Sequence, residues 1–548
     1  MQSYLQRLLL ELCRINTAPQ PNAAKRIAAE NRCFQILQKE LAALPFPGAK
    51  WERHPIDSAI KSHPNYTQSC FAKMPAGSRE QDYAGRSNLI YLVPGTCAKS
   101  GGVAVAFNAH IDVVAPYFPP SARDGVIYGR GACDDKGPLV CFVAALRLLS
   151  EVMGHLGLEW NRDVVGMFVI EEETGGNGSL SLAIDRGLKR HYDSVVVGEP
   201  TSLKIHPANR GAVWYRAELK PPAGVSPLEL FAFVNEQLEV EGAAIRAESR
   251  HALFPQRPVQ TCHGIIGPFG RHPSRICGEV KFQIQFARRP GRQTEALVRN
   301  CLDSGLAGYV GTYGDKTKVT DAATGRPMVT RHYDLRRRGK SFEITVHGAT
   351  GHMGAIRERD GAITKTAHLV RSLVFSRHKL VTLGGPLKLE LAEKSRGSLL
   401  VLEGGQGFLP THGIDEVKDR LRRAATRGAK NYFNRIERRE PGAQCVTITF
   451  DKLHNAAFDG DPDSLTMRQA ISAATACGIS HGEPIHGWTA SCDARLFATE
   501  YPGLPVLTFG PGNLALAHSD QEQIALADMM KAVEFLALFL LRQTGTIK

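Results

Sequence analysis

Five short stretches of this 548-residue chain place histidines and carboxylates where apolar segments end. Asn108–Asp112 closes the apolar run Val103–Phe107, which reads as a buried strand. His110 and Asp112 fall on one side of an extended backbone, so the Asp can orient the imidazole. Tyr128–Gly137 adds Asp134 in a Gly-rich turn before the helix-like run Pro138–Ser150. Glu171, Glu172 and Glu173 follow Val164–Ile170. Three carboxylates at the end of a buried strand are costly unless a cation shares the site, and the simplest cation is a metal. Glu199 ends Val195–Gly198, and Val506–Gly512 leads into Ala517–Asp520 with His518. A lone His-x-Asp or an acidic triplet says little. Repetition at successive strand ends says more, because open α/β folds bind ligands at the carboxyl ends of their strands.

The chemistry of such a set is hydrolytic. His, Glu and Asp are ligands that Zn²⁺ takes, with a position left open for water. Two metals sharing a carboxylate lower the pKa of a bridging water and polarise a carbonyl. A free carboxylate beside them takes the water's proton and hands it to the leaving amine. Glu172 and Glu173 cannot point the same way in a regular strand. They are expected in the turn after Ile170, with Gly175, Gly176 and Gly178 supplying the freedom.

The elements that position these residues are those of an α/β protein. The chain is 43% hydrophobic and 22% charged and long enough for two or three domains. No apolar stretch reaches about 18 residues, so no membrane span is expected. Met1–Thr17 reads as an amphipathic helix with Leu5, Leu8, Leu9 and Leu12 on one side, not as a signal peptide. The 12 Cys form no CxxC pairs, which argues against a disulfide framework and makes the cytoplasm the expected location. The net charge of +13 is spread, with clusters at Arg336–Arg338 and at Arg420, Arg422 and Arg423. No helix-turn-helix, zinc finger or RNA-binding aromatic signature accompanies them, so they read as a solvated basic surface and no nucleic-acid partner is expected. Part of this charge can draw anionic substrates to a cleft.

Residues 1–210 and 456–548 resemble the two-zinc amide hydrolases of the acetylornithine deacetylase, succinyl-diaminopimelate desuccinylase, aminoacylase and carboxypeptidase G family. The resemblance implies that His110 and Glu199 hold one zinc, Glu173 and His518 the other, and that Asp134 bridges them. It further implies that Asp112 orients His110, that Glu172 is the general base, and that the Asp134–Asp135 peptide is cis. Glu171 stands where the family often has Asp. Co²⁺ or Mn²⁺ are possible substitutes for the two Zn²⁺. Ser491–Arg495 resembles the family's substrate-side turn, although Ser491 and Cys492 depart from it. Arg495 can grip a substrate carboxylate bidentately or serve as a structural partner of Asp493. Gly510, Gly512 and Asn513 are expected to line the pocket with backbone. Cys133, beside Asp134, fits no thiolate zinc site and reads as packing.

The middle of the chain, 211–455, offers no strand-end carboxylates. Strand and helix patterns run in nearly the same order twice, first from the strand Ala212–Lys220 to the helix Gln293–Leu306, then from the strand Phe342–His347 through the strand Ser398–Glu403 to the strand Gln444–Asp451. The family inserts one small βαββαβ lid. Here the insert reads as two lid-like subdomains, about 211–320 and 341–455, separated by a polar linker around Gly314–Lys340. His347–Gly354 resembles the family's lid motif, which implies that His352 reaches the active site and steadies the oxyanion. In dimeric relatives this His comes from the partner subunit. A duplicated lid, as in the monomeric bacterial dipeptidases of the family, supplies it from the same chain, which favours a monomer over a lid-mediated homodimer.

The expectation is therefore a three-layer α/β zinc-peptidase-like domain interrupted by an α+β lid. It hydrolyses an amide bond in a short peptide or at a C-terminal residue. The alternatives are an N-acyl-amino-acid deacylase and a catalytically inactive binding protein.

Overall fold

The structure, a computed structural model, describes all residues except 21, 68–82, 322–323, 358, 394–398, 440–441, 453 and 480–483. It divides into two compact units. One comprises Met1–Ala212, Arg250–Pro258 and Lys452–Lys548, and the other Val213–Ser249 and Val259–Asp451.

The first unit is built on six strands: β1 (Lys50–Pro55), β2 (Ser87–Val93), β3 (Val105–His110), β4 (Val164–Val169), β5 (Ser194–Gly198) and β6 (Val506–Phe509). Their order across the sheet is β1-β2-β4-β3-β5-β6. The pairs β4/β3, β3/β5 and β5/β6 are parallel, whereas β2 runs antiparallel to β1 and β4. β2 to β6 are buried along their length, as continuous apolar runs in a helix-covered sheet should be. Helix Lys136–Leu156 packs on this sheet, with Phe142 stacked on Phe107 of β3 at 4.3 Å. Phe535 of helix Leu526–Thr544 lies 4.0 Å from Phe509 of β6. Helix Ala494–Glu500 packs against β5 and β6.

The amphipathic N-terminal reading holds: helix Gln2–Cys13 buries Leu5, Leu8, Leu9 and Leu12. The membrane expectation needs one correction. Among the described residues, helix Lys136–Leu156 does have the length and mean apolarity of a span, although Arg147 and Glu151 interrupt it. Most of its apolar side chains, from Leu139 to Leu146 with Leu149 and Met153, are buried in the core of this unit.

The second unit contains two copies of one topology, nested rather than consecutive. The inner copy runs strand Glu279–Phe286, helix Arg292–Tyr313, strands Tyr333–Arg338 and Ser341–His347, helix Ala362–Phe375, strand Leu387–Leu391. The outer copy begins with strand Gly211–Leu219, helix Pro227–Glu248 and strand Thr261–Ile266. It resumes after the inner copy with strand Leu400–Phe408, helix Ile414–Arg435 and strand Val446–Thr449. In both copies the strands, numbered along the chain, lie in the order second, third, first, fourth. Repetition of elements was legible in the sequence, but the division at Gly314–Lys340 is not where the sheets divide. Tyr333–Arg338 pairs with Ser341–His347 inside the inner sheet. Thr261–Ile266 pairs with Leu400–Phe408 across the whole insertion. The ends of two adjacent antiparallel strands lie close together, so a complete domain can be inserted between them without disturbing the host sheet. The part of the expected strand at Ser398 lies outside the described residues.

Candidate metal centre

The carboxyl ends of β3, β4 and β5 bring three ligand-bearing segments together in the first unit. His110 is the last residue of β3, and Glu199 follows β5 directly. After β4 the chain turns at Glu171, whose φ of 66° is left-handed, and Glu172–Thr174 form a single 3₁₀ turn. This turn resolves the neighbour problem of Glu172 and Glu173. Gly176 is required beside it: a Cβ there would lie 2.3 Å from Asp493 Oδ1. Asp134 stands in the turn before helix Lys136–Leu156, and His518 follows β6. The Asp134–Asp135 peptide bond is cis.

Two ligand groups result, His110 with Glu172 and Glu199, and Asp134 with Glu173 and His518. Donor atoms within each group lie within 4.8 Å of one another. Asp134 faces both: Oδ1 is 3.2 Å from His110 Nε2 and Oδ2 is 3.3 Å from His518 Nε2. His518 Nε2 is also 2.8 Å from Glu173 Oε1. Donors around a tetrahedral zinc stand about 3.3 Å apart, so these spacings suit one carboxylate shared between two ions.

The electrostatics also call for cations. Burial, then the negative charges of Asp493, Glu173 and Asp134, pushes Glu172 well above the usual carboxylate range. Burial, Cys492 and Asp134 do the same to Glu199. Burial opposes charge on His518, yet Glu173 and Asp134 carry the imidazole up to about 9. His110 rises too, as Asp134, Asp112 and Asp135 outweigh its burial. Asp134 stays below its ordinary range because hydrogen bonds from both imidazoles overcome its burial. The balance of charges thus favours positive charge at these positions. The buried N and O donor set fits two divalent ions.

Asp112 acts on both sides of this arrangement. Its carbonyl, 3.0 Å from His110 Nδ1, orients the ring. Its carboxylate, 3.6 Å from the same nitrogen, instead accepts the backbone N–H groups of Glu172 and Glu173 at 3.2 and 3.1 Å. Burial raises Asp112 to about 7. Asp135 Oδ2 accepts from the His110 backbone N–H at 3.2 Å.

Glu522, which nothing in the sequence singled out, fixes the turn of Asp134. Its Oε1 accepts from the N–H groups of Gly131, Cys133 and Asp134 at 2.9, 3.1 and 3.1 Å, and its Oε2 pairs with Arg130. The only signal was its position four residues after His518.

The substrate-side residues sit beside the cluster. A Cβ on Gly510 would lie 2.5 Å from the Glu199 carbonyl, and one on Gly512 would lie 2.7 Å from Cys133 Sγ. Asn513 Oδ1 accepts from Ala515 N–H at 2.8 Å. Arg495 is buried and its Nη2 donates to the Gly175 carbonyl at 3.0 Å. His352 belongs to the inner copy of the second unit. Its Nδ1 accepts from the Gly354 N–H at 3.0 Å, which leaves the proton of the neutral ring on Nε2.

A doubly wound sheet with paired His–carboxylate groups at its carboxyl edge defines a dinuclear-type metal centre. The chain belongs to peptidase family M20/M25/M40, whose profile matches residues 106–542. This bears out the resemblance read from the motifs. The chain is similar to a protein named LysW-lysine/LysW-ornithine hydrolase from Pyrobaculum aerophilum, 31% identical over 214 residues, 38% of this chain and 58% of that relative. It is also similar to a protein named carboxypeptidase from Trichophyton verrucosum, 30% identical over 163 residues, 28% of this chain and 34% of the relative. The chain thus matches 58% or less of the length of these two relatives. Human carnosine dipeptidase 1 shares the fold: its crystal structure matches 99% of this chain and 97% of its own at 15% identity, with a TM-score of 0.55.

Proposed function

We propose that the protein is a zinc-dependent amide-bond hydrolase acting on short peptides or C-terminal residues. The observation that carries this reading is the sharing of Asp134 between two buried His–carboxylate groups, with Glu172 beside them. In it, His110 and Glu199 hold one zinc, Glu173 and His518 the other, and Asp134 both. When bound, the ions polarise the scissile carbonyl and acidify a water. Glu172 accepts the proton of the attacking water and delivers it to the leaving amine, and its raised pKa brings its basicity toward neutral pH. Asp112 holds the His110 ring and the Glu172–Glu173 turn. His352, with its proton on Nε2, donates to the developing oxyanion. Gly510, Gly512 and Asn513 wall the substrate side, and Arg495, bonded to the Gly175 carbonyl, either grips a substrate carboxylate or stays structural. The reading includes a cytoplasmic monomer, supported by the second lid copy. The relative named as a LysW-lysine/LysW-ornithine hydrolase keeps a deacylase-like reading as the second choice.

Metal analysis of the purified protein is expected to find two zinc ions per chain, with Co²⁺ or Mn²⁺ restoring activity after chelation. Dipeptides, longer peptides and acetylated, succinylated and longer acyl amino acids, assayed side by side, decide between the readings. Preference for acyl amino acids favours the deacylase. Bound metal without turnover of any of them favours a binding protein, and no bound metal removes both enzyme readings. Mixing His352→Ala with Glu172→Ala protein tests the monomer. No recovery is expected in cis, whereas recovered activity places His352 in a partner's site.

A further inference from the structure

Glu171 carries no role in the reading above, yet it is the most constrained residue of its turn. Its φ of 66° and ψ of 26° are left-handed, a conformation that strains a residue with a Cβ and that Gly adopts freely. Three things hold it there. Its carbonyl accepts from the Gly176 N–H at 2.7 Å. Its buried carboxylate receives Arg86 on Oε1 and the Tyr83 hydroxyl on Oε2, the latter at 2.7 Å. Arg86 is itself gripped by Glu30 of helix Ala23–Ala42, from Nη2 at 2.6 Å and from Nε at 2.9 Å. Tyr83 is tied by Asn177 Nδ2 at 2.7 Å to the helix that follows the turn.

The reversal at residue 171 has a direct chemical consequence. The next two N–H groups both turn to the Asp112 carboxylate, so the two following side chains diverge. Glu172 goes to the His110–Glu199 group, and Glu173 to the Asp134–His518 group. A Gly would permit this path without specifying it. A Glu anchored through its own side chain specifies it.

We propose that Glu171, anchored by Arg86 and Tyr83, is a positioning residue that aims Glu172 at one metal position and Glu173 at the other. This rests on the roles given to those two residues above. Arg86 sits between two buried carboxylates, so removing it leaves uncompensated charge and threatens folding. The test therefore changes Glu171. Glu171→Asn keeps a residue type that tolerates the left-handed region but is too short to reach Arg86. Glu171→Gln keeps the reach and one acceptor oxygen.

Zinc is titrated into metal-free protein against a competing chelator, with His110→Ala and His518→Ala identifying the two binding steps. Wild-type protein that binds no zinc refutes the proposed function itself. If it binds two ions, Glu171→Asn is expected to weaken the Glu173–His518 step ~10–100-fold, the usual effect of losing an outer hydrogen-bond partner, and to spare the other step. Its kcat is expected to fall with KM unchanged, and Glu171→Gln to recover most of both losses. Tyr83→Phe gives the same pattern more weakly and stands in if the Asn protein does not fold. Equal weakening of both steps, which a merely destabilised fold produces, overturns the proposal. So does an unchanged second step, or a Gln variant as impaired as Asn.

Discussion

On the His110–Glu199 side of the cluster, each ligand stands at the end of a parallel strand, and ladder hydrogen bonds to neighbouring strands set its position. On the Glu173–His518 side both ligands sit in turns. That side relies on two left-handed non-glycine residues, Glu171 with φ 66° and His518 with φ 58°. Such residues persist only where their surroundings over-determine them. Around Glu171 the surroundings include Asp112 and Arg86, and Glu522 fixes the turn of Asp134, which His518 faces. One candidate ion position is therefore built into the sheet, and the other depends on a polar scaffold around it. The second should be the easier to lose.

The largest effect separates the two neighbouring glutamates that serve the two sides. Glu172→Ala is expected to keep both ions and lose ~10²–10⁴-fold in kcat, the range of a general acid–base group. Glu173→Ala is expected to lose an ion. Metal analysis showing the opposite pattern would shift the reading of the triplet by one residue.

The ligands themselves come next. His518→Ala should abolish tight binding of one ion and leave the other near its wild-type affinity. His110→Ala should weaken both, because Asp134 is then held only from the His518 side. Equal, independent losses in the two variants would break the comparison.

Glu522→Gln tests the scaffold. It keeps an acceptor for the three N–H groups but sets an amide NH₂ against Arg130. The Glu173–His518 step is expected to weaken ~10–100-fold in a chelator titration, more than the other step.

The smallest effect concerns a histidine of the same unit that has no carboxylate partner among the described residues. His206 donates from Nδ1 to the His486 carbonyl at 2.8 Å, and burial lowers it to about 4. The folded state thus favours the neutral ring. Its contribution to stability is whole above about 6.5 and fades as pH falls toward 4, a loss of about 2 kcal/mol at pH 5. His206→Asn retains the amide donor without the titration. Denaturant unfolding of the metal-free proteins should show the gap between them narrowing or reversing by that amount between pH 8 and pH 5. A constant gap rejects the assignment.

Much of this centre could be read before any coordinates. His110, Asp134, Glu173, Glu199 and His518 each follow an apolar strand pattern or sit in a Gly-rich turn, and such local signals survive folding. The α/β class followed from the same apolar runs. Asp112 was visible, but its use of carbonyl and carboxylate for different partners was not, since both depend on how β3 and β4 lie together.

What the sequence determined by itself is the chemistry: which residue types stand at strand ends, the family they signal, and the repetition of strand–helix order in 211–455. Tertiary structure alone decided the nesting of the two copies, because strand pairing across an insertion leaves no periodic trace. It also decided the parts played by Arg86, Glu522 and Glu30. Arg86 lies 85 residues from Glu171, and Glu522 lies 388 from Asp134. Hydrogen bonds at such separations follow from packing and carry no local pattern, so the candidate ligands could be named from the sequence while the polar groups around them could not.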